Sequence, residues 1–187
     1  METPISQQVS ALIEEITEAF LYVSRGNGIM LSEAWVIDAY GSDEERAAAK
    51  AQDTDTHWQE VPEDDISFGY LCLSYLDPVS FRYYLPAYMI WTLKNYGHTD
   101  STTPEAIFSN LKLTDQNFHQ WAVDLKQRLG LLPPPEYSKI NKRELERFNI
   151  FSLEQSKSIA HFLQFFAECH TDEIAQKALD SSWQKFI

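Results

Sequence analysis

The stretch DPVSFRYYLPAYMIW, residues 77–91, constrains the fold more than any other part of the sequence. It holds five aromatic side chains and two prolines. Its large apolar residues recur at steps of three and four, which is the spacing of one helix face. These residues are Phe81, Tyr84, Leu85, Tyr88 and Trp91. Stripes of this kind usually belong to a core, so we predict a helical, ring-filled centre of the molecule.

The same stretch also contains a helix start and a helix breaker. Asp77 is a favourable N-cap residue and Pro78 is tolerated at the first helical position. Pro86 lacks an amide hydrogen, clashes with the preceding turn and disfavours helical geometry at Leu85. The sequence therefore predicts either two short helices meeting at an angle or one kinked helix.

The rest of the chain repeats the helical period between recognisable caps, and we find no alternating strand pattern of convincing length. The second predicted helix, residues 32–40, is expected to bury Trp35, Val36 and Ala39. The predicted helices are 5–23, 32–40 with Ser32 as cap, 43–52 with Ser42 as cap, 62–76, 104–111, 114–129, 153–170 with Ser152 as cap, and 171–183. The prolines of LLPPPEYSKINKRELER, residues 131–147, favour an extended polyproline strap laid over the body. The prediction is a mainly α protein: a single compact multi-helix domain over residues 1–187 with an extended proline-rich strap.

Composition places the chain in a broad class. Hydrophobic residues make up 44% and charged residues 23%, as in ordinary globular proteins. No apolar run approaches the roughly 20 residues of a membrane helix, and METPISQQVS lacks the basic start of a secretory signal. Cys72 and Cys169 both lie in apolar stretches, which is typical of reduced thiols. We expect a cytoplasmic protein with no membrane partner.

Charge is unevenly divided along the chain. Residues 1–80 carry 16 Asp and Glu against three basic residues, a net charge of −13, whereas residues 81–187 carry 12 of each sign. Within the first part, residues 38–65 hold ten acids and two bases, a net charge of −8. Such a field repels nucleic acid and anionic lipid and attracts basic partners or cations. Nucleic-acid binding is therefore disfavoured.

This segregation leads to the preferred functional hypothesis, a binding module whose acidic N-terminal face docks a basic protein partner. Immunity proteins that neutralise nuclease toxins offer an analogy, since an acidic face steers towards a surface built for phosphate. The residues of the predicted acidic face are Asp43, Glu44, Glu45, Asp53, Asp55, Glu60, Glu63, Asp64 and Asp65. The alternative is that the acidity only keeps the protein soluble.

Arg82 stands among the aromatic residues and has two interpretations. As a structural clasp, its guanidinium would stack on the rings and pair with Asp77 or with an acid of residues 38–65. As a ligand-binding residue, it would hold an anion in a pocket lined by Tyr84, Tyr88 and Trp91. Buried arginines are usually paired, which favours the clasp.

Two motifs carry a resemblance to a known family. YGSDEERAAAKAQDTDTHWQEVP followed by LSYLDPVSFRYYLPAYMIWTL resembles a bacterial domain-of-unknown-function family. Its members share, in this order, a Y-G-S-D-E-E-R block, an acidic W-x-x-V-P block and an L-D-P-x-x-F-R-(F/Y)-Y-L-P-A-(Y/F)-M block. The matching positions are Tyr40, Asp43, Arg46, Trp58, Pro62, Asp77, Phe81, Arg82, Tyr84, Leu85 and Pro86. The resemblance covers about residues 29–96 and implies a shared fold unit, and it brings no established activity.

A divalent metal is the only cofactor that the sequence suggests. Asp53, Asp55 and His57 are spaced two apart, so on an extended loop they could point in one direction as oxygen and imidazole ligands. The alternative hypothesis is accordingly a metal-assisted hydrolase, with Arg82 or Tyr84 orienting an anionic substrate. No HExxH, CxxC or EF-hand pattern accompanies these residues. The oligomeric state stays open, and a third hypothesis is a structural subunit that forms a dimer through an aromatic patch.

Overall fold

The structure is a computed structural model that describes residues 3–113, 125, 128–130 and 138–187, without the side chains of residues 138–143. Within these ranges the regular structure is helical and no strand occurs, which confirms the mainly α class. The helices are α1 (Pro4–Ala19), α2 (Leu31–Asp38), α3 (Asp43–Lys50), α4 (Glu63–Phe68), α5 (Pro78–Asn95), α6 (Thr103–Asn110), α7 (Ser138–Asn149), α8 (Leu153–Cys169) and α9 (Glu173–Ala178). Short 3₁₀ turns occupy Trp58–Glu60, Cys72–Ser74 and Gln184–Phe186, and a π-helical turn follows α9 over Leu179–Trp183.

Helix α5 forms the centre of the core, as the aromatic spacing predicts. Asp77 caps it by accepting hydrogen bonds from the amides of Val79 and Ser80, and Pro78 occupies its first turn. The helix continues through Pro86 to Asn95, so the predicted division into two helices is wrong. Burial explains the difference, because residues 83–89 are all buried, and packing on every side outweighs the roughly 3 kcal/mol cost of an internal proline.

Helices α1 and α8 pack against each other, and α1 also packs on α5. Ile16 and Phe20 near the end of α1 are fully buried, as are Phe162 and Phe166 of α8. These side chains belong to one hydrophobic cluster that also includes residues of α2, α4, α5, α6 and α9. These seven helices therefore share one core.

Helix α2 corrects the sequence prediction in both its start and its buried face. It begins at Leu31, so Ser32 lies inside the helix rather than at its cap. The Ser32 amide and hydroxyl both donate to the Asp53 carboxylate. The side chains that the helix buries are those of Leu31, Glu33 and Ala34. Trp35 is instead 40% exposed, Val36 is only partly buried and Ala39 is exposed.

The helix predicted over residues 62–76 is shorter than expected. Pro62 stands at the N-cap of α4, which ends at Phe68, and a 3₁₀ turn continues the chain. Gly69 lies between α4 and this turn. Its carbonyl accepts a hydrogen bond of 2.8 Å from the Tyr88 hydroxyl of α5. A Cβ at position 69 would lie 2.9 Å from the Tyr88 hydroxyl and 2.3 Å from the Asp65 carbonyl oxygen. The backbone of α4 and the close approach of α5 together therefore require glycine here.

Two further corrections lie in the second half of the chain. Ser152 caps α8 through the amide of Gln155, as predicted, but the last helix begins at Glu173 after the cap Asp172 rather than at Thr171. The predicted strap extends over residues 131–147, but α7 already begins at Ser138, because the charged run after the prolines forms a helix. The proline segment 131–137 and the start of the helix predicted from Thr114 lie outside the described residues.

Candidate functional site: an acidic face anchored by an arginine–tyrosine cluster

Arg25 joins the acidic first part of the chain to α5. Its Nη1 lies 2.8 Å from Asp55 Oδ2 and 2.8 Å from the Tyr84 hydroxyl, and its Nη2 donates to the Asp55 carbonyl oxygen. The Tyr83 hydroxyl donates to the same carboxylate oxygen at 2.8 Å. The guanidinium carbon also lies 5.3 Å and 5.9 Å from the centres of the Tyr83 and Tyr84 rings, within cation–π range. Three elements that are distant in sequence therefore meet at one ion pair.

Burial and hydrogen bonding fix the charges of this cluster. The side chains of Arg25 and Asp55 are only 12% and 9% exposed. Burial opposes the charge on Arg25, but its contacts with Tyr84 and Asp55 raise its pKa overall. Burial raises the pKa of Tyr84 to about 12, and burial together with the Asp55 carboxylate raises that of Tyr83. Both phenols are therefore neutral near pH 7, and the cluster suits a structural role rather than proton transfer.

The clasp predicted at Arg82 is thus provided by Arg25. Arg82 Nη1 donates to the Ile150 carbonyl oxygen at 3.2 Å. Asp77, its expected partner, is engaged elsewhere: Oδ2 accepts from the Ile29 amide at 2.7 Å and from the Ser80 hydroxyl at 2.9 Å. The predicted pairing of Arg82 with Asp77 is therefore wrong.

The aromatic residues proposed to line a pocket around Arg82 are directed to different neighbours. Tyr84 contacts Arg25, Tyr88 donates to the Gly69 carbonyl, and Trp91 is 6% exposed beneath a groove next to α4. Their helical spacing correctly predicted that they are buried. Side chains of a central helix, however, contact different neighbouring segments. The spacing alone could not identify those partners.

The structure does not assemble Asp53, Asp55 and His57 into a metal site. The Asp53 carboxylate accepts from Ser32, and the Asp55 carboxylate is bound by Arg25 and Tyr83. His57 is exposed at the start of the 3₁₀ turn. Among all residues that the structure describes, no group of three or more His, Cys, Asp or Glu is arranged to hold a metal ion.

Seven of the nine predicted acidic-face residues are exposed, and we call these seven the acidic face. They are Asp43, Glu44, Glu45, Glu60, Glu63, Asp64 and Asp65. Asp53 and Asp55 are partly buried and carry the internal bonds described above. Burial raises the pKa of Asp65, and the charges of Asp53, Asp64 and Asp55 raise it further. The carboxylates around α4 are therefore close enough to repel one another.

The two basic residues within segment 38–65 turn away from most of the acidic face. Arg46 Nη2 lies 2.9 Å from Glu33 Oε1, and Lys50 Nζ lies 3.9 Å from Glu33 Oε2. Glu33 is only 8% exposed, so its charge needs compensation. Arg46 reaches one residue of the acidic face, Asp43, at 3.5 Å. The local cations are thus used mainly to neutralise a buried acid of α2.

Comparison with known proteins locates the chain in one family. No curated protein and no solved structure matched it. None of the helices in the described ranges is both long enough and apolar enough to cross a membrane. Residues 8–186 match the family model described as "Family of unknown function (DUF6714)". The match spans nearly the whole chain and agrees with the resemblance of its two motifs, so the protein belongs to this family of unknown function.

Proposed function

We propose that the protein is a cytoplasmic binding module whose acidic face docks a basic protein partner. The observation that carries the proposal is the exposure of seven carboxylates on α3, α4 and the intervening 3₁₀ turn, while the neighbouring cations pair with buried Glu33. The face is therefore left with a strong negative potential. Such a potential accelerates encounter with a basic surface and disfavours acidic competitors.

The internal clusters support this function by holding the face in place. Arg25 binds both Asp55, in the segment between α3 and the 3₁₀ turn, and Tyr84 of α5. Asp53 of the same segment is bound by Ser32 of α2. A surface held in one geometry loses little conformational entropy when it binds. The acidic face accordingly has the rigidity of a preformed docking surface.

A charge-neutralised variant tests the proposal. Glu44→Gln, Asp64→Asn and Asp65→Asn together remove three exposed charges without touching Arg25 or the groove beside α4. The matched control, Glu105→Gln, Glu168→Gln and Asp180→Asn, makes the same change in net charge with exposed acids of the second half of the chain. Both variants should retain the wild-type melting temperature within a few degrees.

The measurement is comparative capture from a lysate of the native host, followed by titration of the purified captured protein. We expect a basic protein that binds wild type and the control alike, and binds the neutralised variant roughly tenfold more weakly at about 50 mM salt. The difference should shrink at high salt. Equal binding by all three forms, or no basic protein among the captured ones, would refute the proposal.

A further inference from the structure

A groove opens beside the acidic face, between α1, α4 and α5. It has a volume of about 260 Å³. Its floor consists of buried apolar side chains, including Trp58, Val61, Ile66 and Trp91. Ile13 of α1 and Ile90 of α5 are only partly buried and form its walls. The volume matches one large apolar side chain, and the surface around it is formed by regular elements of the core.

The charge at the rim of this groove connects it to the acidic face. Glu63, a member of the acidic face, lines the groove, and Lys94 stands on the same rim. A second, shallower depression shares Gln59 with the first and is lined by Glu60, another member of the acidic face. Its apolar part includes Tyr22, which is 93% exposed. Apolar surface is thus interleaved with carboxylates that belong to the acidic face.

We infer that the groove takes a large apolar side chain, preferably aromatic, from a basic segment of the protein partner. This inference rests on the proposed function and adds to it a partner motif: one bulky apolar residue flanked by Lys or Arg. Glu63 at the groove and Glu60 at the adjoining depression outnumber Lys94 and supply charge complementarity for the flanking residues. The apolar floor supplies the anchor. Buried aromatic anchors surrounded by polar rims dominate the energetics of many interfaces.

The probe for this inference is a pair of synthetic peptides, acetyl-Arg-Lys-Trp-Lys-Arg-amide and the same peptide with Ala in place of Trp. Isoleucine methyl NMR reports directly on the groove, because Ile13, Ile66 and Ile90 line it. Ile107 and Ile159 are fully buried elsewhere in the core and serve as internal controls. The Trp peptide should shift the three groove methyls and leave the two controls unchanged. It should also bind about fivefold or more tightly than the Ala peptide.

A substitution on the groove wall separates filling of the groove from loss of the fold. Thr17 lines the groove and is partly exposed. Thr17→Phe fills the space, and Thr17→Val keeps nearly the original shape. The advantage of the Trp peptide should disappear in Thr17→Phe and persist in Thr17→Val. The wild-type methyl shifts keep the test valid even if Thr17→Phe unfolds.

The possible failures are distinguishable. If both peptides bind equally without shifting the groove methyls, and the neutralised variant weakens both, the groove inference is wrong and the proposed function stands. If neither peptide binds, the groove inference is wrong, and the capture experiment decides the proposed function separately. If neutralisation changes neither peptide binding nor capture, both the groove inference and the proposed function fail. If the groove methyls change with protein concentration in the absence of peptide, a second copy of the chain occupies the groove and the inference is wrong.

Discussion

Arg25 links helix α5 to the acidic first part of the chain, and Arg82 of α5 links it to the second half; these two contacts differ in their acceptors. On the acidic side, Arg25 pairs with the buried carboxylate of Asp55 and stacks near two tyrosines of α5. Towards the second half of the chain, Arg82 of α5 donates to the neutral carbonyl oxygen of Ile150. Deleting one partner of a buried ion pair lowers the free energy of unfolding strongly, because the other charge stays buried without a partner. Deleting a partly exposed cation that only donates to a carbonyl oxygen lowers it much less.

The comparison shows that the acid excess of the first 80 residues serves two purposes. Some carboxylates are internal: Asp55 and Asp77 accept hydrogen bonds from other segments, and Glu33 binds the nearby cations. Others, such as Glu63 and Asp64, are exposed and take part in the acidic face. Substituting an internal acid should therefore lower the free energy of unfolding much more than substituting an exposed one. For one exposed acid, Asp65, the substitution should raise it.

The largest effect is expected for Asp55→Ala. The change leaves Arg25 with a side chain that is 12% exposed and without its counter-charge, and it deprives the Tyr83 hydroxyl of its acceptor. We expect the free energy of unfolding in urea to fall by about 3 kcal/mol. Asp43→Ala is the control, because Asp43 is 94% exposed in its ion pair with Arg46 and should cost no more than about 0.5 kcal/mol. Similar losses for the two variants would contradict the distinction between internal and exposed acids.

A smaller loss, of about 2 kcal/mol, is expected for Asp77→Ala. This carboxylate caps α5 and also accepts from the Ile29 amide, so it joins two segments. Burial opposes its ionisation, but the hydrogen bonds from Ile29 and Ser80 outweigh burial and lower its pKa below the usual value of 3.8. The folded state therefore gains stability from the charge above pH 3.8, and that gain is lost as the pH falls through the lowered pKa.

The pH dependence provides the check on Asp77. Unfolding free energies of wild type and Asp77→Ala should differ most near neutral pH and converge as the solution is acidified below about pH 4. A difference that stays constant over this range would show that the carboxylate contributes through its shape rather than its charge.

Arg82→Ala should have a still smaller effect, about 1 kcal/mol, because it removes one hydrogen bond of 3.2 Å from a partly buried side chain. A partner carboxylate left unpaired would instead cost roughly 3–5 kcal/mol. The ratio of the losses in Asp55→Ala and Arg82→Ala, measured under the same conditions, therefore reports which arginine is the clasp. A larger loss for Arg82→Ala would reverse the assignment.

The sequence was sufficient for features that depend on local spacing. Caps at Ser42, Asp77 and Ser152 are recognised by a side chain that bonds to an amide two or three residues later, and all three occur where expected. The burial of the α5 rings followed from their number and spacing. Local signals are reliable here because both partners lie within one turn of chain.

Features that depend on distant partners were not predictable in the same way. Arg25 lies 30 residues from Asp55 and 59 from Tyr84. In the sequence it is only part of the Arg-Gly-Asn-Gly run that follows the first predicted helix, residues 5–23. Arg82 stands among aromatic residues in the sequence, but adjacent residues of a helix point in different directions. Its sequence neighbours therefore do not indicate which groups its side chain contacts. Only the packing of α1, α5 and the loop before α4 decides which arginine meets a carboxylate.

The smallest effect, and the one of opposite sign, is expected for Asp65→Asn. Burial and the nearby charges of Asp53, Asp64 and Asp55 raise the pKa of Asp65, so its ionised form is less favourable in the folded than in the unfolded state. Stability therefore falls as the pH rises above 3.8 through the raised pKa, and near pH 7 this cost is present in full. Removing the charge should raise the free energy of unfolding by at most about 0.5 kcal/mol, because a negative charge in the first turn of α4 also has a favourable interaction with the helix dipole. Urea unfolding at neutral pH measures the change, and the same variant should bind the basic partner more weakly. A clear loss of stability would mean that the helix dipole outweighs the repulsion, and that the acidic face carries no cost to the fold.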